Sequence, residues 1–99
     1  MMIEASVKKG LQQFAFEPND NNTWARLRQA VENFLVLSWK NGALQGISTN
    51  QAFYVRCGLS ATMTNLDILE GRLVAEIGLA VIRPAEFIVL RFTQRMQAS

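Results

Sequence analysis

The chain has 99 residues, of which 49% are hydrophobic and 18% charged, and ten basic against eight acidic residues give a formal net charge of +2. This length accommodates one small hydrophobic core, so we expect a single domain over residues 1–99. The basic residues are scattered, whereas nucleic-acid binding requires a basic stripe. No window reaches the roughly 18–20 apolar residues of a membrane span. We therefore expect neither nucleic-acid binding nor membrane insertion.

A short helix is predicted at the N-terminus, because Ile3, Val7 and Leu11 recur at a spacing of four residues. Residues Phe14–Phe16 then predict a brief extended piece. The segment Glu17–Asn22 is dense in residues that favour turns and helix starts, so we expect the chain to reverse direction there.

The longest predicted element is an amphipathic helix over residues 23–41. Its apolar residues fall at steps of three and four, which places them on one face. Asn22 or Thr23 is the expected N-cap, and Gly42 follows the helix where a left-handed conformation costs least. We expect two residues of the apolar face to anchor the helix on a sheet: Leu27 and Phe34.

The residue pattern in the middle of the chain predicts two strands with a helical turn between them. Residues 52–57 are rich in β-forming residues and predict a buried strand. The segment Thr64–Asp67 predicts a capped helical turn. Residues 73–82 alternate between two faces, and Gly78 within this run indicates a bulge or a close backbone approach.

The C-terminal third contains a third apolar run, separated from the second by Arg83-Pro84. Pro84 cannot donate to a strand ladder, so we predict a hinge there and a candidate exchangeable arm and tail over residues 85–99. An apolar edge strand exposes unpaired backbone groups, so this run is either buried in its own sheet or offered to another subunit. The interface candidates are Arg83, Glu86, Phe87, Ile88, Val89, Leu90, Arg91 and Phe92.

Charged residues inside the apolar runs require partners or solvent. Burying one of them unpaired would cost several kcal/mol, so each is expected to face water, to pair within the chain or to pair across an interface. These residues are Arg56, Arg72, Glu76, Arg83, Glu86 and Arg91.

The sequence contains no histidine, which removes the commonest general base and the commonest metal ligand. Cys57 has no activating base nearby in the sequence and is expected to be a buried thiol. Glu17 and Asp20 could form an acid/base pair, but capping and chain reversal explain them better. The glycines fit no phosphate-binding pattern. We expect a protein that is not an enzyme, with no catalytic residue, metal, cofactor or small-molecule substrate.

Three blocks of the chain resemble a known family. FAFEPNDNNTWARLRQAVENFL (Phe14–Leu35), QAFYVRCG (Gln51–Gly58) and the GRLVAEIG…RPAEFIVLRF run stand in the order and at the spacing of the C-terminal domain of contractile phage tail sheath proteins. The resemblance runs from about Glu4 to Gln94. It implies a structural subunit that stacks in rings around a tail tube and slides into a shorter, wider form when the tail fires.

We therefore expect an α+β fold, in which a small mixed or antiparallel sheet packs under one long amphipathic helix and ends in a C-terminal strand arm. The resemblance implies that residues 87–93 add to a neighbour's sheet. It also implies neighbouring sheath-like subunits as partners, with the tail tube as a further candidate, and a location in the virion tail or the host bacterial cytoplasm.

Two questions stay open at this point. The alternative function is a small phage-encoded binding protein or inhibitor that uses the same strand or helix face on a host or phage protein. Sheath subunits also carry a much larger N-terminal portion, so the chain is expected to be either a piece of such a subunit or a short protein that has kept this domain.

Overall fold

The computed structural model describes residues 2–82 and 85–96, which form four helices and three strands. The predicted hinge at Arg83-Pro84 and the tail residues 97–99 lie outside the described residues. The elements in chain order are α1 (Met2–Gln12), α2 (Asn21–Lys40), α3 (Thr49–Ala52), β1 (Phe53–Cys57), α4 (Asn65–Leu69), β2 (Arg72–Val81) and β3 (Glu86–Arg95).

The three strands form one antiparallel sheet in the order β1-β2-β3. Strand β2 is central: Tyr54 of β1 lies opposite Gly78, and Val89 of β3 lies opposite Gly78 on the other side. Strand β3 pairs with β2 over all ten of its residues. The expected α+β class is confirmed, and the sheet is antiparallel rather than mixed.

One face of the sheet carries the hydrophobic core. The alternation predicted for β2 is confirmed, since Leu73, Ala75, Ile77 and Leu79 are fully buried and Val81 nearly so. Helix α2 packs across this face, and α1 lies against α2 and β3. The residues of α1 and α2 that complete the core are Val7, Leu11, Trp24, Leu27, Val31 and Leu35.

Helix α2 begins two residues earlier than the sequence pattern indicates. Its N-cap is Asp20, whose carboxylate accepts a hydrogen bond from the backbone N–H of Thr23 at 3.0 Å, so the prediction of Asn22 or Thr23 as the cap is wrong. The helix ends at Lys40, and Gly42 follows with the expected positive φ of 84°.

Asn19 ties the start of α2 to the sheet. Its side-chain oxygen accepts a hydrogen bond from the indole N–H of Trp24 at 2.7 Å, and its amide nitrogen donates to the carbonyl of Arg72 at 2.9 Å. Asn19 is buried and both of its polar ends are satisfied, so the helix and β2 are held in a defined orientation.

Two local predictions differ from the structure. Residues Phe14–Phe16 are turns, because the N–H groups of Phe14 and Ala15 bond to carbonyls three residues earlier and extend the end of α1. Helix α3 includes Ala52, which the sequence pattern assigns to the following strand. The capped turn at α4 is confirmed: Thr64 and Asp67 form a reciprocal capping box.

Candidate functional site

Strand β3 has an outer edge that no other described segment pairs with. Strand β3 occupies one side of β2, so the hydrogen bond from the backbone N–H of Gln45 to the carbonyl of Ala80 lies on the other side, the side of β1. The even-numbered residues of β2 therefore direct their backbone groups towards β1. Because hydrogen-bonded and non-hydrogen-bonded pairs alternate in an antiparallel ladder, the β3 residues opposite them point their N–H and C=O groups outwards. These residues are Phe87, Val89, Arg91 and Thr93. We call this row the β3 edge.

The opposite edge of the sheet, along β1, is partly closed. The same alternation directs the backbone groups of Phe53, Val55 and Cys57 away from β2. The guanidinium of Arg28 on α2 donates to the carbonyl of Cys57, which occupies one of these acceptors. The β3 edge is therefore the longer and more accessible place for another strand.

The predicted interface residues of β3 divide between the two faces of the sheet. Ile88, Leu90 and Phe92 point towards the core and are half-buried, whereas Phe87, Val89 and Arg91 lie on the opposite face and are exposed. Glu86 is also exposed, and Arg83 lies outside the described residues. The sequence leaves two arrangements open for β3, pairing in its own sheet or with another subunit. In the single chain, β3 pairs in its own sheet.

The face of the sheet opposite the core, which we call the outer face, carries an aromatic contact. Tyr54 of β1 and Phe87 of β3 stack with their ring centroids 6.1 Å apart. The rings meet over Gly78 of β2, where a Cβ atom would overlap with the Tyr54 ring and lie 2.7 Å from Cζ of Phe87. The sequence indicates a bulge or a close backbone approach at Gly78, but the ladder is regular there and the close approach is made by side-chain rings. Tyr54 itself was not identified from the sequence.

Beside this contact, a row of charged side chains crosses all three strands. The carboxylate of Glu76 lies 3.4 Å from Nη1 of Arg56 and 3.7 Å from Nη2 of Arg91. It also accepts a hydrogen bond from the Tyr54 hydroxyl at 2.9 Å. Partial burial raises the pKa of the Tyr54 hydroxyl, and the hydrogen bond to Glu76 raises it to a smaller extent. Three of the charged residues that the sequence places in the apolar runs, Arg56, Glu76 and Arg91, thus pair within the chain.

A second ion-pair group closes the end of the outer face near α4. Arg72 forms salt bridges to Asp67 at 2.9 Å and to Glu70 at 2.6 Å. The pKa of Asp67 is held below its ordinary value. The main cause is the hydrogen bond from the Thr64 backbone N–H, and the next is the hydrogen bonding from Arg72. Because Glu70 is exposed and Arg72 and Asp67 are only partly buried, the main effect of these ion pairs is to position α4 against β2.

The residues considered for catalysis occupy structural positions. Glu17 pairs with Arg26 at 2.9 Å, while Asp20 caps α2. Burial raises the pKa of the Cys57 thiol to about 11, which keeps it protonated and unreactive at neutral pH. Among the described residues, no cluster of three potential metal ligands is present, and no helix is long and apolar enough to cross a membrane.

A cleft of about 260 Å³ lies between α1 and α2. Its walls are formed by the apolar side chains of Val7, Phe14, Val31 and Phe34, together with Gly10, and no charged side chain lines it. A site of this composition could hold an apolar group, but it offers no acid or base for chemistry.

Residues 1–95 match the family described as the phage tail sheath C-terminal domain. The chain belongs to this family, as the resemblance predicts. Comparison with curated proteins gave no significant match.

Two solved structures contain chains similar to this one. The first, 44% identical with a TM-score of 0.79, is in a structure of the anti-feeding prophage baseplate. The second, 40% identical with a TM-score of 0.78, is in the sheath complex of an extracellular contractile injection system, PVC, in its contracted state. Each match covers 96% of this chain, which spans only 26% and 27% of the two larger chains.

Proposed function

We propose that the chain is a structural, non-catalytic domain of a contractile sheath-like assembly, associated with a tail, and that it joins neighbouring subunits by strand addition at the β3 edge. Family membership and the similarity to sheath and baseplate chains support the structural role. The observation that carries the mode of association is the row of outward-pointing backbone groups from Phe87 to Thr93.

Strand addition explains how subunits could move without separating. Main-chain hydrogen bonds supply the affinity and depend little on side-chain identity, while the side chains on either face set the register. A connection of this kind tolerates rotation of one subunit against the next, provided that the added strand is linked flexibly to the rest of its own chain. The neighbouring subunits are the partners that we propose, with the tail tube as a further partner.

A proline substitution in β3 tests whether subunits associate through the β3 edge. The N–H of Val89 points outwards, so Val89→Pro removes a donor from the β3 edge and leaves the β2–β3 ladder intact. Val89→Thr is the matched control, because threonine is β-branched and keeps the N–H. We expect the wild type and Val89→Thr to associate with rising concentration in sedimentation experiments and Val89→Pro to stay monomeric.

Association of Val89→Pro equal to that of the wild type would rule out the β3 edge as the connector. A wild type that stays monomeric at all concentrations would instead favour the alternative, a small binding protein that acts on a host or phage protein.

A cross-linked variant distinguishes edge addition from exchange of β3 between chains. Val74 and Thr93 are opposite each other in a non-hydrogen-bonded pair, which typically brings Cα atoms to about 4.5 Å and is compatible with a disulfide. With Val74→Cys and Thr93→Cys oxidised, β3 cannot leave β2. We expect the locked protein to associate as the wild type does. Association that appears only after reduction would show that β3 is exchanged instead.

A further inference from the structure

The outer face has an open part that none of the described helices covers. It consists of three rows of side chains at right angles to the strands, and its most exposed apolar members are Phe87 and Val89, at 57% and 53%. The rows are Ala80 with Phe87, then Tyr54 with Gly78 and Val89, then Arg56 with Glu76 and Arg91. The third row has two positive charges against one negative charge.

We propose that this open part of the outer face is a docking surface for an acidic amphipathic helix of a protein partner. The surface uses the side chains of Phe87, Val89 and Arg91, whereas the β3 edge uses their backbone groups. The proposal does not depend on strand addition. A sheet edge binds a strand through main-chain groups, whereas a sheet face is usually covered by a helix that packs its side chains between those of the strands.

The charge of the third row selects an acidic partner. The Arg56 and Arg91 side chains are 51% and 59% exposed, and Glu76 between them is only 17% exposed. Arg56 donates to Glu76 and to the carbonyl of Ala61, and Arg91 lies 3.7 Å from Glu76. A guanidinium has five N–H donors, so both arginines keep donors that these contacts do not use. A carboxylate of the partner can bind both arginines, while a lysine there would meet like charges.

The spacing of the rows defines the partner's sequence pattern. Side chains two residues apart on a strand are about 6.6 Å apart, and residues four apart on a helix rise by about 6 Å. A helix that runs along the strands would therefore place apolar residues at i and i+4 on the first two rows. Residues i+7 and i+8 would then reach Arg56 and Arg91, so they are expected to be Glu or Asp.

A synthetic helical peptide with Leu at i and i+4 and Glu at i+7 and i+8 is the direct probe. Its binding to the full chain can be measured by fluorescence anisotropy, with one control peptide carrying Lys for Glu and another carrying Ala for Leu. We expect Arg91→Glu and Arg56→Glu each to weaken binding by about tenfold or more, as for close charge pairs at interfaces. Lys40→Glu, at the far end of α2, is the matched charge control and should change binding by less than about twofold.

Amide chemical shifts identify where the peptide lies. We expect the largest changes at Tyr54, Gly78, Val89 and Arg91, and both control peptides should bind at least about tenfold more weakly than the probe. The proposal is overturned if Arg91→Glu binds the probe as well as the wild type does, or if the largest shifts fall on α1 or α2. Because Val89→Pro blocks the β3 edge, sedimentation of that variant tests strand addition independently of this result.

Discussion

Tyr54 and Phe87 lie on the two outer strands of the sheet, yet their rings stack directly, with an interplanar angle of 24°. The contact is possible because the residue between them on β2 is Gly78, which has no side chain to separate the rings. A side chain at this position would occupy the space of the Tyr54 ring. The glycine is therefore required for side-chain packing across three strands, and not for a positive φ.

The first prediction is that Gly78→Ala destabilises the fold by about 1–3 kcal/mol, the usual range for an added group in a packed site. The new methyl group would displace the Tyr54 ring and weaken both its stacking on Phe87 and its hydrogen bond to Glu76. Urea denaturation of the variant measures the change. The double variant Gly78→Ala/Tyr54→Ala is the control, and it should show a coupling energy, since the two residues are in contact. If the effects of the two substitutions on the free energy of unfolding were strictly additive, that result would contradict the packing role of Gly78.

The second prediction concerns the contact of α2 with the sheet. Leu27 is completely buried, so Leu27→Ala should lower the free energy of unfolding by about 2–5 kcal/mol. Phe34 is only half-buried and lies beside the cleft between α1 and α2, so Phe34→Ala should cost less. Chemical denaturation of both variants provides the comparison. An unchanged midpoint for Leu27→Ala would contradict the position of the helix.

The third prediction tests Asp20 as a cap. Asp20→Ala removes the acceptor for the N–H of Thr23, which should cost about 0.5–2 kcal/mol. Asp20→Ser keeps a capping oxygen and should retain most of the stability, which separates capping from a general effect of charge. Equal losses in both variants would argue against the cap. A hydrolytic activity that disappears in Asp20→Asn at unchanged stability would contradict the structural assignment of this segment and the proposal of a non-catalytic protein.

The fourth prediction is a pH dependence of stability from Asp67. Its pKa is lowered below 3.8 in the folded state, so its interactions stabilise the fold above that value, and the stabilisation is lost as the pH falls through the lower folded-state pKa. Between about pH 5 and pH 2 the denaturation midpoint of Asp67→Asn should therefore fall less steeply than that of the wild type. Glu4→Gln, which removes an exposed carboxylate on α1, is the control for net charge. Equal slopes in the two variants would contradict the prediction.

Much of the fold follows from local patterns in the sequence. Strand β2 is predictable because its alternation matches burial on one face, and α4 because Thr64 and Asp67 stand at capping-box spacing. The start of α2 is less predictable. Four consecutive residues are all good capping residues: Asn19, Asp20, Asn21 and Asn22. The hydrogen bond from Asn19 to β2 depends on the tertiary fold, and it helps to determine that Asp20 is the N-cap.

The outer face could be predicted only in part. Alternation along β1 places Tyr54 and Arg56 on one face, and alternation along β2 does the same for Glu76 and Gly78. Their contacts depend on the register between β1 and β2, in which Arg56 pairs with Glu76, 20 residues further along the chain. No local pattern sets this register, so the ion pairs of Glu76 became evident only in the folded structure.

The single cysteine provides a built-in probe of mechanical opening. Cys57 ends β1 beside Arg28, is 1% exposed, and has a thiol pKa of about 11, so alkylating reagents should modify it only when this corner of the sheet separates. The alkylation rate of an assembled array would then report how often each subunit loosens. Comparing that rate between two forms of an assembly would show whether strain during rearrangement reaches the core of the domain or is absorbed in the links between subunits.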